Sequence, residues 1–413
     1  MNIAGHATAK GTDEYCRRFL DRFDQGHFHS VEKLRWSSIG LGTYLGKPDA
    51  KTDKLVAKAV IQSIEGGINV IDTAINYRRQ HGEKSIGAAL RNIVTKGKYN
   101  RDEFIVCTKG GFLPHPDGSE WFQSQYVDRF KDVIQTSDLV ANCHCMHPSY
   151  LSDQLNRSLE NLGLQTIDVY YVHNPETQLG SVEEDIFYHR MEAAFEMLEE
   201  AVAKRKIRYY GLATWSGFRV MPSNAKHMML SRLKELARQV AGDGPDHFRF
   251  IQLPLNLEMP EAFSVANQRV DDNLCSTLSA ANSLGIYPVI SGSIAQGNIK
   301  HLSSFQTKIL GDGFSSDAQR ALNITRSSPG IACALIGMKQ AAHIEENLRL
   351  CSFPLLEPDI FEVLMKNPRK NEDKVTQDYQ ILRYLSSQVL SERMLLKIVQ
   401  GLDNKGISTI LSS

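Results

Sequence analysis

The stretch "NVIDTAINYRRQHGEKSIGAAL", residues 69–90, opens as a strand and closes as a helix. Residues 69–74, with Val70 and Ile71 at their centre, read as a short buried strand. Towards its end Ile86 and Leu90, continued by Ile93, recur at i, i+4 and i+7, one face of a helix. Between the two runs an acid, Asp72, lies late in the strand, and a phenol, Tyr77, sits in the loop.

The same strand–loop–helix unit recurs on either side of this stretch. Runs rich in β-formers occur at "SSIGLGTY" (37–44), "FIVCTKG" (104–110), "DVYYVH" (168–173) and "IRYYGLAT" (207–214). Three more follow at "FRFIQLPLN" (248–256), "IYPVISG" (286–292) and "IACALIGM" (331–338). Helical stripes separate them. Leu151, Leu155, Leu159 and Leu162 form one, with Gly163 placed to terminate it. Phe187, Met191, Phe195, Leu198 and Val202 form another. Eight alternating units predict an α/β fold closed as a (β/α)8 TIM barrel. A doubly wound sheet would carry G-x-G-x-x-G after its first strand; Gly40, Gly42 and Gly46 are spaced one residue too far, and no helix starts directly behind them.

The chain of 413 residues is 42% hydrophobic and carries 47 basic and 47 acidic side chains. That balance argues against a general electrostatic role on nucleic acid or on an anionic membrane. No apolar run reaches the ~18 residues of a membrane span, and residues 1–19 lack a signal-peptide core, so the expected compartment is cytoplasmic. Seven scattered cysteines fit reduced thiols. "CHCMHP" brings Cys143, His144, Cys145 and His147 together, but in no paired zinc spacing, so no metal is expected there.

In barrels of this kind, catalytic groups sit at the carboxyl ends of the strands. The polar exceptions within these apolar runs obey that rule: Asp72 with Tyr77 behind it, Lys109, His173 and Gln252. A free phenol has a pKa of about 10, and a neighbouring ammonium favours its phenolate. Lys109 is placed to supply that charge, Asp72 to hold Lys109, and His173 to orient a substrate carbonyl. Reduction also needs a hydride, which no side chain supplies, so a nicotinamide cofactor is implied.

On these residues the sequence resembles the aldo-keto reductase superfamily over about residues 36–350. The marker is Asp72-Thr73-Ala74 with Tyr77 shortly after, then Glu83 and "SIGAAL". Lys109 in "VCTKGG" and His173 in "DVYYVHNPE" complete the family's tetrad. The resemblance implies Tyr77 as proton donor, Lys109 and Asp72 as its tuning pair, and His173 as the carbonyl-positioning group. It implies NADPH, with NADH possible, lying across the barrel mouth. The cofactor contacts it implies are Thr43, Tyr44, Asp72, Thr214, Gln252, Ser291, Ser293, Gly297, Gly337, Lys339, His343, Glu346 and Asn347. Two positions depart from the family pattern: Ala213-Thr214 stands where Ser-Asn is common, and Ser291 stands where a ring often stacks on the nicotinamide. Lys339 and His343 are the candidates for reading a 2′-phosphate.

Residues 1–35 are an N-terminal extension expected to cap the barrel floor or a partner. Residues 110–147 are a long loop carrying Phe112, Trp121, Phe122, Tyr126 and Phe130, and fit either a lid over the mouth or a small subdomain with its own core. Residues 351–413 form a helical C-terminal extension. The expected partner is a small-molecule carbonyl or alcohol, with oligomeric state open. Two alternatives remain: a nucleotide-sensing binding subunit on the same fold, and a Schiff-base aldolase acting through Lys109.

Overall fold

A computed structural model describes residues 2–366 apart from 131, 132 and 300. The amphipathic pattern at Leu382, Leu385, Val389 and Leu390 lies outside the described residues. Two short strands come first, β1 (Phe28–Val31) and β2 (Leu34–Ser37), paired as an antiparallel hairpin. Then come β3 (Ile39–Gly42), β4 (Val70–Asp72), β5 (Ile105–Gly110), β6 (Ile167–His173), β7 (Ile207–Ala213) and β8 (Phe248–Pro254). A second hairpin, β9 (Ala266–Val270) and β10 (Asn273–Ser276), precedes β11 (Tyr287–Ser291) and β12 (Cys333–Gly337). Strands β3 to β8, β11 and β12 close into one parallel barrel in chain order.

Every residue of β4, β5 and β6 is buried, the result of helices outside and a filled interior. The helix Pro148–Leu162 starts with Pro148 at its first turn and stops at Gly163, whose φ of 66° suits glycine. Parallel register puts Gly42, Asp72 and Cys107 on one rung, and His173, Ala213 and Gln252 on another. The polar residues of the strands therefore collect at one end of the barrel.

The opposite end is stoppered by the first hairpin. Trp36 is fully buried and stacks on Phe250, with ring centroids 5.2 Å apart. Around this pair pack Val31, Leu34, Tyr171 and Val289 inside the barrel. Trp36→Ala is expected to cost about 3–5 kcal/mol, because the emptied space is walled by rigid strands; a denaturant melt measures it.

The segment 110–147 is not a bare loop. Phe122, Tyr126, Ile134, Cys145 and Tyr150 make a separate small core, with Trp121 and Leu139 against it. Tyr126 donates to Asp153 at 2.5 Å, tying this unit to the helix Pro148–Leu162. Of the segment's five aromatic residues named above, Phe112 lines the cavity at the barrel mouth, whereas Phe122 and Tyr126 are committed to the small core.

Candidate active site

At the carboxyl ends of the strands lies a cavity of about 680 Å³. Asp72, Tyr77, His173 and Gln252 line it, and Lys109 lies fully buried just behind them. Lys109 Nζ donates to Asp72 Oδ1 at 2.5 Å, to the Thr73 carbonyl at 2.7 Å and to the Tyr77 hydroxyl at 3.4 Å. On the other side of Asp72, Gln252 Nε2 donates to Oδ2 at 2.8 Å. The Tyr77 ring stands 5.7 Å from the His173 imidazole and 5.0 Å from Tyr44, edge-on to both. An acid, an ammonium, a phenol and an imidazole from three adjacent strands and one loop thus meet at one wall.

Burial works against the Lys109 charge, but Asp72 and Tyr77 outweigh it and hold the ammonium above its ordinary value. At Tyr77 the net direction differs from the sequence expectation. Burial pushes the phenol up and outweighs the pull of Lys109 in the opposite sense. The hydroxyl therefore stays protonated through neutral pH, as a donor must. Burial, Lys109 and His144 together push His173 well down, so its imidazole is neutral. Its Nδ1 is buried with no hydrogen-bond partner.

The loop that presents Tyr77 is strained. Arg78, Arg79 and Gln80 all take positive φ, at 50°, 55° and 71°. Each costs about 1–2 kcal/mol for a residue with a Cβ, so something must hold them. Arg78 does: its guanidinium donates to Asp53 at 2.8 Å, to Ser85 at 2.9 Å and to the His81 carbonyl at 3.0 Å. The phenol is thereby set on a locked turn rather than a free loop.

Of the expected cofactor residues, Thr43, Tyr44, Thr214, Ser291, Ser293, Gly297, Gly337, Lys339 and His343 also line this cavity. Some already have partners. Thr43 Oγ1 donates to Thr73 Oγ1 at 2.8 Å, and Ser293 Oγ to the Leu335 carbonyl at 2.7 Å. Thr214 Oγ1 is buried with none. Glu346 and Asn347 are not among the residues that line this cavity. Glu346 accepts from the Ser316 hydroxyl, and Asn347 Nδ2 points at Met338 Sδ, 3.6 Å away. The helix Ala341–Leu350 turns that face toward the helix Asp317–Arg326 instead.

Several wall residues carried no recognisable signal in the sequence: Leu45, Asn76, Asn174, Trp215 and Gln296. Trp215 is 45% exposed at the mouth. Its loop is held from behind by Glu176, whose Oε1 accepts the main-chain N–H of Trp215 at 2.7 Å and of Ser216 at 2.9 Å. The cysteine–histidine run gathers no metal-binding set: among the described residues no group of three such side chains is placed to hold an ion.

The family model described as "Aldo/keto reductase family" matches residues 38–230. An uncharacterized oxidoreductase, YqkF of Bacillus subtilis, is 30% identical over 180 residues, a match spanning 43% of this chain and 45% of that protein. The 6-dehydroglucose reductase of Novosphingobium aromaticivorans is 23% identical over 341 residues, covering 80% of this chain and 91% of its own. Among solved structures, an aldo-keto reductase from Klebsiella pneumoniae in complex with NADPH superposes with a TM-score of 0.53. It is 17% identical and covers 84% of this chain and 98% of its own, a likeness of fold. Among the described residues no helix is long and apolar enough to cross a membrane.

Proposed function

We propose that the chain, which is similar to the aldo/keto reductase family over residues 38–230, reduces an aldehyde or ketone to an alcohol at this cavity, with Tyr77 as proton donor. The observation that carries the reading is the position of Lys109 Nζ, between Asp72 Oδ1 and the Tyr77 hydroxyl. A general acid needs its conjugate base stabilised as the proton leaves, and this ammonium is already there.

The residues fit a nicotinamide nucleotide. Thr214, in the cavity wall, has a buried hydroxyl without a partner. Gln252 spends its N–H on Asp72, which leaves its carbonyl oxygen for a carboxamide donor. Lys339 and His343, at the far edge, suit a phosphate, and favour NADPH over NADH. When bound, the reduced nicotinamide supplies the hydride. The chain's own residues do the rest. The neutral His173 donates a hydrogen bond that orients the carbonyl oxygen, and Tyr77 gives that oxygen its proton. Lys109 meets the phenolate so formed, while Asp72 keeps Lys109 charged and in place. Reprotonation from water resets the phenol.

The Lys109 amine donates to three acceptors and is held charged, which makes it a poor Schiff-base nucleophile and disfavours the aldolase reading. Loss of reduced-nicotinamide absorbance with a panel of aldehydes and ketones tests the proposal; no turnover with any of them sinks it. Fluorescence titration with NADPH and NADH tests the cofactor preference. The pH dependence has a definite sign. Reduction needs the protonated phenol, whose pKa burial raises, so the rate is flat through neutral pH and falls on the alkaline side. A steady-state pH profile with saturating cofactor checks this.

A further inference from the structure

We infer that Arg190, Gln178 and His144 form a polar relay that fixes the main chain of His173, and through it the imidazole that meets the substrate oxygen; this rests on the reductase reading above. The relay follows from what each group is able to do. Arginine only donates. Arg190, on the helix Glu184–Ala203, places Nη1 2.5 Å from Gln178 Oε1, so that oxygen is the acceptor and the amide has one orientation. Gln178 Nε2 then faces His144 Nδ1 at 3.0 Å. The amide nitrogen donates, so Nδ1 accepts. A neutral imidazole must therefore carry its proton on Nε2. That nitrogen lies 2.7 Å from the His173 carbonyl oxygen, which accepts it. Burial, with Arg190 nearby, holds His144 down at about 4, so the neutral form persists through physiological pH.

The surroundings leave this arrangement little freedom. The Phe112 ring stands edge-on to both imidazoles, 5.1 Å from His144 and 5.2 Å from His173. A Cβ on Gly111 would come within 2.8 Å of His144 Nε2, so a glycine is required there. Leu113 N–H donates to the Cys143 carbonyl at 2.9 Å, and Cys145 N–H to the Gly111 carbonyl at 3.0 Å, which pins residues 143–145 along the end of β5. Arg190 reaches the same segment through the Ser137 carbonyl at 3.3 Å. Immediately after His173 the chain takes a positive φ of 47° at Asn174. A strand end that turns so abruptly needs an anchor, and the His144 donor is one. The segment 110–147 thus acts as a brace beneath His173, and its cysteine–histidine run supplies the bracing group.

The test uses Gln178→Leu, which keeps most of the volume and removes both links, and Arg190→Met at the relay's solvent end. In Gln178→Leu the turnover number is expected to fall about tenfold, less than the ~100-fold that a 1 Å misplacement can cost. NADPH affinity and the Michaelis constant for the carbonyl should hold. Nitrogen NMR of protein carrying isotope-labelled histidine should show His144 as a single Nε2–H tautomer in the natural chain and as a mixture in the variant. A purely structural role would lower thermal stability and leave turnover per folded site unchanged, which would overturn the relay. So would an Nδ1–H or protonated His144 in the natural chain. If Gln178→Leu does not fold, Arg190→Met decides, with a smaller drop in turnover expected and an unchanged turnover counting against the relay. A chain that reduces no carbonyl at all defeats the reductase reading, while the tautomer measurement still decides the relay.

Discussion

Tyr77→Phe should bind NADPH as the natural chain does and lose carbonyl reduction by about 10²–10⁴-fold, the usual worth of a positioned general acid. The substitution removes one hydroxyl and little else. The edge-on packing of the ring against Tyr44 and His173 is one that phenylalanine can keep. Lys109 loses its longest contact, at 3.4 Å, and keeps the two short ones to Asp72 and the Thr73 carbonyl. The fold and the nucleotide surface should therefore be intact, and the loss should fall on the turnover number. Fluorescence titration and single-turnover kinetics separate the two. Near-normal turnover in this variant would falsify the assignment of Tyr77.

Lys109→Met should do more damage, and to stability as well as to rate. Asp72 is 3% exposed and Lys109 fully buried. Removing the ammonium leaves a carboxylate in the barrel with only the Gln252 amide to answer it, and strips the Thr73 carbonyl of its donor. Breaking a buried pair from one side costs about 3–5 kcal/mol. The phenolate would also lose its stabilising charge, so turnover should drop at least as far as in Tyr77→Phe. Denaturant melts of the two variants side by side are decisive: a Lys109→Met protein as stable as Tyr77→Phe would mean that the pair is not the buried ion pair described.

The barrel was legible because strands covered on both faces have almost no polar residues, so eight apolar runs separated by helical stripes allow few architectures. The polar wall of the cavity was legible for the converse reason. Asp72, Lys109, His173 and Gln252 interrupt those runs near their carboxyl ends, where an unpaired polar group would be expensive. The two hairpins were not legible. Glu32 and Lys33 form the tip of the first with φ of 48° and 66°, angles that Asn-Gly would have announced. Packing of Val31 and Trp36 inside the barrel imposes a turn that local preference does not suggest. The strained run 78–80 was hidden in the same way, since nothing in Arg-Arg-Gln asks for positive φ until Asp53 and Ser85 are brought up to Arg78. Trp215 and Asn174 were missed because loop conformation depends on contacts from elsewhere, here Glu176 and the main chain of Ala213. The net direction at Tyr77 needed the depth of the site, which residue order does not encode.

The tryptophan-stoppered floor has a kinetic meaning. With Trp36 stacked on Phe250, traffic through the opposite end of the barrel is blocked. Any two molecules that share the cavity would have to use its one open end. If a long nucleotide lies across that threshold, ordered rather than random entry is the expected kinetic pattern, and product-inhibition kinetics check it.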